Sequence, residues 1–219
     1  MDDLKLHGFW VSPFTMRVVW TLKLKGIAYE NIEENPTNKS PELLEYNPVY
    51  KKAPVLVHAG KPICESMIIV EYIDEIWPHN SLVPHDPYER AQARFWVTYA
   101  DQMVPALFAA LYFNSGAGEI EKIWEHLKVF EDQCLGDKRK FFGGDTINIV
   151  DIALGSIFRV LFTIEDVNEV KVMEAEKFPL LQSWFNNFKN VPVIKENFPD
   201  REKTSAAIKS IIAKVSGSS

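Results

Sequence analysis

The sequence predicts a two-part fold: an α/β unit of order β-α-β-α-β-β-α, then an all-helical unit. Three observations carry this expectation. Short strand patterns alternate with helix patterns up to Trp77; three prolines interrupt the chain between Pro78 and Pro87; and beyond them the apolar periodicity is almost entirely helical. The division predicted is residues 1–78, a linker at 79–88, and a helical domain at 89–219.

Taken in order, Leu4 to Phe9 reads as a strand. Pro13 to Lys25 has helical spacing of Phe14, Val18, Trp20, Leu22 and Leu24, with Gly26 as the stop. Ala28 to Ile32 reads as a second strand. Ser40-Pro41-Glu42 caps a short helical turn that ends before Asn47-Pro48. Val55-Leu56-Val57 and Pro62-Ile63-Cys64 flank Ala59-Gly60-Lys61 as a hairpin. Ser66 to Trp77 closes the unit as a helix. In the second part, Tyr88 to about Ser115 is expected as one long helix ended by Gly116 and Gly118. Glu119 to about Leu135 follows, then a helix opening near Asn148, then Pro179 to Lys189 and Lys203 to Lys214. Asn148-Ile149-Val150-Asp151 reads as a capping box with Asp in place of Glu, a structural feature.

The 219 residues hold 24 basic and 30 acidic side chains, a formal net charge of −6. That balance argues against nucleic acid or an anionic membrane as the main partner. The start, Met1-Asp2-Asp3-Leu4-Lys5, lacks the basic-then-apolar layout of a secretory leader. The longest apolar run, Met103 to Phe113, is too short to cross a bilayer and reads as a buried helix. Two cysteines, Cys64 and Cys134, make no disulfide framework and show no metal-ligand spacing, so no metal is expected and a reducing cytoplasmic compartment is. His7, His58, His79, His85 and His126 are scattered singly and read as structural or surface residues.

Two positions point to chemistry. Ser12-Pro13-Phe14 and Glu65-Ser66 each open a helix immediately after a strand. A helix start offers free backbone N–H groups and the positive end of the dipole, which suits an anion. Two such starts suit a ligand with two separated negative groups, a thiolate near Ser12 and a carboxylate near Ser66. Each also has a plain structural reading, since Ser-Pro commonly only caps a helix and Ser66 has the same capping role open to it. No histidine or lysine lies near Ser12 in sequence to act as its base, which disfavours a serine nucleophile. A hydroxyl donating to a thiolate is the alternative. Glu65 places an acid where an α-ammonium could be held, while Cys64 beside it reads as a packed strand thiol. Lys51-Lys52-Ala53-Pro54-Val55 reads either as a solvated lysine pair or as a loop that pairs with an extended peptide. A cis bond before Pro54 would turn the Ala53 backbone outward. Lys39, before Ser40-Pro41, is an ordinary surface lysine unless the fold brings it beside Lys52.

Together these segments resemble the cytosolic glutathione S-transferases, specifically the plant tau class. The resemblance runs through Phe9-Trp10-Val11-Ser12-Pro13-Phe14, Asn38-Lys39-Ser40-Pro41, Asn47-Pro48-Val49-Tyr50-Lys51-Lys52, Pro54-Val55-Leu56 and Gly60-Lys61-Pro62-Ile63-Cys64-Glu65-Ser66. It continues in Phe142-Gly143-Gly144-Asp145 leading to Asp151-Ile152-Ala153-Leu154, and so covers nearly the whole chain. It implies a thioredoxin-like N-terminal domain that binds glutathione and an all-helical domain that builds an electrophile pocket. By motif, Ser12 stabilises the glutathione thiolate, Lys39 and Lys52 meet the glycine carboxylate, Ala53 ahead of a cis Pro54 pairs with the cysteinyl backbone, and Glu65 and Ser66 hold the γ-glutamyl head. One departure is Ala53, where related sequences usually carry a larger aliphatic residue. For the electrophile, the resemblance implies walls from Phe14, Pro105, Phe108, Ala109, Tyr112 and Val160. Plain core is the competing reading for the helical ones. Pro105 and Ala109 are small, so a roomy apolar site is expected, with Tyr112 as its polar contact.

The implied activity is conjugation of the glutathione thiolate to hydrophobic electrophiles, in detoxification and the stress response, by a cytoplasmic homodimer. Serine rather than cysteine at position 12 favours conjugation or glutathione-dependent peroxide reduction over thiol transfer, which needs a protein cysteine. Glutathione is the co-substrate. Three other readings stay open at this level: a non-catalytic carrier of hydrophobic metabolites on the same scaffold, a structural module, and a disulfide reductase with Cys64 as nucleophile.

Overall fold

The computed structural model describes residues 3–113, 116–134 and 139–216. The chain divides into two compact units, Met1–Val83 and Pro84–Ser219.

The first unit contains β1 (Leu4–Gly8), α1 (Pro13–Leu24), β2 (Glu30–Glu33), α2 (Pro41–Tyr46), β3 (Val55–His58), β4 (Lys61–Cys64) and α3 (Ser66–Ile76). The sheet order is β2-β1-β3-β4. β1 runs parallel to β2 and antiparallel to β3, which pairs antiparallel with β4. Side chains alternate across a strand, and this sorts the core. Leu4, Leu6 and Leu56 face one way and pack with Val18, Leu22, Ile69 and Ile73 of α1 and α3. Val55 and Val57 face the other way and pack with Leu43 of α2. Ala59 and Gly60 both have positive φ, 48° and 75°. That is the primed turn geometry that matches the twist of two hairpin strands.

The second strand starts at Glu30 rather than Ala28. As the sheet's outer strand it carries an exposed face, so its apolar pattern is too weak to mark the boundary. α1 ends where Gly26 predicts. Ile27 N donates to Leu22 O at 2.9 Å and Gly26 N to Lys23 O at 3.1 Å, with Gly26 at φ 64°. These two bonds satisfy carbonyls that the helix end would leave open. The Lys25 ammonium then folds back to within 2.8 Å of Asp74 and donates to the carbonyls of Trp77 and His79, tying α1 to the end of α3.

The second unit is helical: α4 (Pro87–Asp101), α5 (Val104–Phe113), α6 (Gly116–Gln133), α7 (Ile149–Asn168), α8 (Pro179–Lys189), α9 (Pro192–Glu196) and α10 (Arg201–Ser216). The single long helix expected from Tyr88 is two helices. Pro105 has no N–H to donate to Asp101 O, and its ring would crowd that carbonyl. The backbone tightens instead, with Met103 N on Ala100 O, and restarts with Leu107 N on Met103 O. Gly116 opens α6 rather than ending the helix before it. The expected ends at Ser115 and Leu135 lie outside the described residues. The capping box is present. Asn148 Oδ1 accepts from Val150 N and Asp151 N, and Asp151 Oδ2 accepts from Asn148 N at 2.8 Å. Asp151 Oδ1 also accepts from Phe142 N and Trp184 Nε1, so the fully buried carboxylate ties α7 to α8.

Candidate active site

The sheet topology gathers the chemically suggestive segments. β1 and β2 are parallel, so Gly8 and Glu33 end at one edge. β3 is antiparallel to β1, with His7 opposite Val55, so β3 begins at that edge. β4 pairs Cys64 with Val55 and ends there too. The loop to Ser12, the segment toward Lys39, Ala53-Pro54 and Glu65-Ser66 therefore all leave the same end of the sheet.

Ser12 is the N-cap of α1, in extended conformation, and Pro13 follows inside the helix. Its Oγ accepts from Thr15 N at 3.3 Å and its N–H donates to Phe9 O at 2.8 Å. Capping uses an oxygen lone pair, which leaves the hydroxyl hydrogen available to a partner outside the helix. Thr15 holds this corner. Its Oγ1 accepts from Phe9 N at 3.1 Å. A side chain at Gly8 would come within 2.5 Å of Thr15 Cγ2, so only glycine permits this approach.

Glu65 is the N-cap residue of α3 and Ser66 is the first helical residue, so Ser66 is not itself the cap. Glu65 has φ 71° and ψ 118°, and no side chain caps this helix start. A non-glycine residue at such φ is strained, and strain of this kind gathers at functional sites. The first-turn N–H groups thus remain open to a ligand. Ser66 is buried, and Arg17 Nη1 donates to its Oγ at 3.4 Å. Arg17 is itself 1% exposed, with its guanidinium 5.1 Å from the Phe14 ring centre. One turn of α1 therefore links the Ser12 corner to the start of α3. Sequence reasoning missed Arg17. Its one signal was a lone cation inside the buried stripe from Thr15 to Leu22.

The peptide bond between Ala53 and Pro54 is cis. The loop before it is fixed by Asn47, which is buried, donates to Lys52 O at 2.9 Å and accepts from Tyr50 N at 3.1 Å. Lys52 is exposed and Lys39 half-exposed, and neither has an ion-pair partner among the described residues. Lys39 is positioned by its neighbour Ser40, the cap of α2. Ser40 Oγ donates to Glu34 Oε1 at 2.6 Å, and the same carboxylate lies 2.8 Å from His7 Nδ1. Asn47 and Glu34 were also missed, since nothing in the local pattern distinguishes them from loop residues.

In the helical unit, Pro105, Phe108, Ala109 and Tyr112 form a half-exposed to exposed stripe on α5, while Ala106, Leu107, Ala110 and Leu111 are buried. Phe108 and Tyr112 rings lie 5.9 Å apart, and burial raises the Tyr112 hydroxyl pKa above its ordinary value. Val160 is 5% exposed on α7.

Both cysteines are thiols whose pKa is raised, Cys64 by burial and then by the Glu65 charge, Cys134 by burial. Cys64 Sγ also donates to Tyr46 O at 3.6 Å. A thiol held protonated is a poor nucleophile, which counts against the reductase reading. Among the described residues, no group of His, Cys, Asp and Glu is placed to hold a metal ion. None of their helices is long and apolar enough to cross a membrane.

The family model described as glutathione S-transferase, N-terminal domain, matches residues 2–75, and the corresponding C-terminal domain matches residues 117–192. Glutathione S-transferase U8 of Arabidopsis thaliana is 45% identical over 219 residues, covering 98% of this chain and 97% of that protein. Glutathione transferase GST 23 of Zea mays is 44% identical, covering 94% of each. Among solved structures, the tau-class glutathione S-transferase of mango, Mangifera indica, superposes with a TM-score of 0.87 at 40% identity, over 94% of this chain and 97% of that one. Rice GST1 in complex with glutathione gives a TM-score of 0.87 at 33% identity over 97% of each chain. The chain belongs to the glutathione S-transferase family and to its plant tau-type branch.

Proposed function

We propose that this chain conjugates glutathione to hydrophobic electrophiles, with Ser12 as the catalytic residue. The observation that carries the reading is the Ser12 hydroxyl, whose oxygen is occupied by Thr15 N while its hydrogen is free to donate at a helix start. Donation to a thiolate is a hydrogen bond to a charged acceptor, worth about 1.5–3 kcal/mol. That lowers a thiol pKa from about 8.5 by roughly one to two units, enough to ionise much of it at neutral pH. The thiol proton passes to water. The sulfur then attacks the electrophilic carbon, forming the C–S bond as the leaving group departs with its electron pair. Proximity to a bound electrophile supplies much of the remaining acceleration.

In this reading Lys39 and Lys52 meet the glycine carboxylate, and the Ala53 backbone ahead of Pro54 pairs with the cysteinyl residue. Glu65 holds the γ-glutamyl ammonium. The open N–H groups at the start of α3, with Ser66, hold its carboxylate. In the helical unit Pro105, Phe108, Ala109 and Tyr112 of α5 and Val160 of α7 contact the electrophile, as Phe14 does from the first unit. The active species is a cytoplasmic homodimer serving detoxification.

The test is the rate of glutathione conjugation to a simple aryl halide, in wild type and Ser12→Ala. Loss of the thiolate hydrogen bond lowers the rate about 10- to 150-fold with glutathione binding retained. Equal rates would remove Ser12 from the mechanism.

A further inference from the structure

We propose that Glu34 and His7 are positioning residues for glutathione, acting through the start of α2 to hold Lys39 on the glycine carboxylate and so to select the full tripeptide over γ-glutamylcysteine. This rests on the assignment of Lys39 made above; Glu34 and His7 themselves touch no substrate atom. Both are 4% exposed. They are buried titratable groups at the sheet edge from which the candidate site residues leave, and the conjugation chemistry uses neither.

Glu34 follows the last residue of β2, and its N–H donates to Gly8 O at 2.7 Å, which fixes it against the end of β1. Its carboxylate then reaches across the loop to Ser40. Oε2 accepts from Ser40 N at 3.1 Å and Oε1 from Ser40 Oγ at 2.6 Å. Ser40 Oγ accepts in turn from Leu43 N at 3.0 Å, the cap bond of α2. The hydroxyl hydrogen and an oxygen lone pair are both committed, and with the backbone N–H they set the direction in which the chain enters the helix. Lys39 is the residue immediately before that fixed amide. The loop between has its own closure, with Asn35 Oδ1 accepting from Thr37 N at 3.0 Å and from Thr37 Oγ1 at 2.8 Å.

His7 clamps the same helix from the sheet. Its Nδ1 lies 2.8 Å from Glu34 Oε1, and since a carboxylate only accepts, the imidazole donates. Its ring meets the Tyr46 ring edge-on, with centres 5.4 Å apart. Glu34 holds the cap of α2 and Tyr46 is its last residue, so one side chain of β1 bears on both ends of the helix. Burial works against the Glu34 charge, but the hydrogen bonds from Ser40 and His7 outweigh it and keep the carboxylate ionised at neutral pH. A buried ionic cluster is weak grounds for stability, because apolar side chains of similar volume often serve as well or better. Apolar side chains cannot orient the Ser40 amide and hydroxyl, and that orientation is what places a half-exposed lysine.

The test is titration calorimetry of the full chain with glutathione and with γ-glutamylcysteine, which lacks the glycine. An ion pair at this exposure contributes little, so Lys39→Ala weakens glutathione about 2- to 5-fold and leaves γ-glutamylcysteine unchanged. Glu34→Gln, His7→Leu and Ser40→Ala do the same, while Ser40→Thr keeps wild-type affinity. None of the three adds to Lys39→Ala in a double variant, because each acts through that lysine. Should His7→Leu fold poorly, Glu34→Gln and Ser40→Ala still decide the matter. Equal weakening of both thiols, unchanged glutathione affinity, or full additivity with Lys39→Ala would overturn the proposal. A chain that binds no glutathione, or whose Lys39→Ala variant binds it unchanged, fails the site assignment and the proposal with it. An effect of Lys39→Ala without one from Glu34→Gln or His7→Leu fails the proposal alone.

Discussion

Gly155→Ala puts a methyl group where α7 meets α8. A Cβ there would stand 2.4 and 2.5 Å from Cε1 and Cζ of Phe188. Carbon atoms in good contact are about 3.5–4.0 Å apart, so the ring must retreat by about 1 Å. It has little room. Phe188 is fully buried and stacks on Trp184 with ring centres 5.7 Å apart. Trp184 is in turn held by its hydrogen bond to Asp151 at 2.7 Å. Overpacking of this kind costs about 1–3 kcal/mol, while alanine's better helix propensity returns about 1 kcal/mol. With the ring blocked, overpacking falls in the upper part of that range, about 2–3 kcal/mol, so the net loss should be about 1–2 kcal/mol. For a chain of this length that is a fall of about 2–8 °C in melting temperature. Scanning calorimetry measures it directly. Phe188→Leu supplies the second arm, because a smaller side chain leaves room for the methyl group. The double variant should lose less than the sum of the two singles. A melting temperature that is unchanged or raised in Gly155→Ala, or strict additivity, would refute the close-packing argument.

Three further outcomes are expected. Burial alone would raise the Glu34 carboxyl pKa, but hydrogen bonds from Ser40 and the neighbouring His7 outweigh it and hold the pKa below the ordinary glutamate value of 4.5. Its stabilisation is therefore present above that value and lost as pH falls through the lower native one. Glu34→Gln should flatten the fall in melting temperature between about pH 5 and 3, and equal slopes would exclude Glu34 as a source. Lys25→Met strands the Asp74 carboxylate, whose side chain is 6% exposed beside a fully buried ammonium, and should cost about 3–5 kcal/mol in urea unfolding. A loss under about 1 kcal/mol would show the pair to be no stronger than an exposed one. Lys52→Ala should raise the glutathione KM about 2- to 5-fold with kcat unchanged, an effect that shrinks with added salt. An unchanged KM would take Lys52 out of the glutathione site.

Local backbone chemistry was the legible part. The Ser12-Pro13 and Ser40-Pro41 helix starts, the Gly26 stop and the Asn148–Asp151 box each act within about four residues, so adjacent letters contain the whole interaction. The break at Gln102 was written in Pro105, but continuous apolar spacing from Met103 to Phe113 masked it. Arg17 and Ser66 are 49 positions apart, and Asn47 binds a carbonyl across its own loop. Neither pairing follows from any local period.

By itself the sequence determined the two-part architecture, the family, and the two helix starts that suit an anion, because hydrophobic period and capping are short-range properties. Only the tertiary structure decided which polar groups are buried together. The sheet order β2-β1-β3-β4 brings the ends of distant strands to one edge, and the pairing of β1 with β2 buries His7 against Glu34. Burial belongs to the assembled fold, since desolvation and the need for a hydrogen-bond partner arise only when separate segments exclude water from the same place.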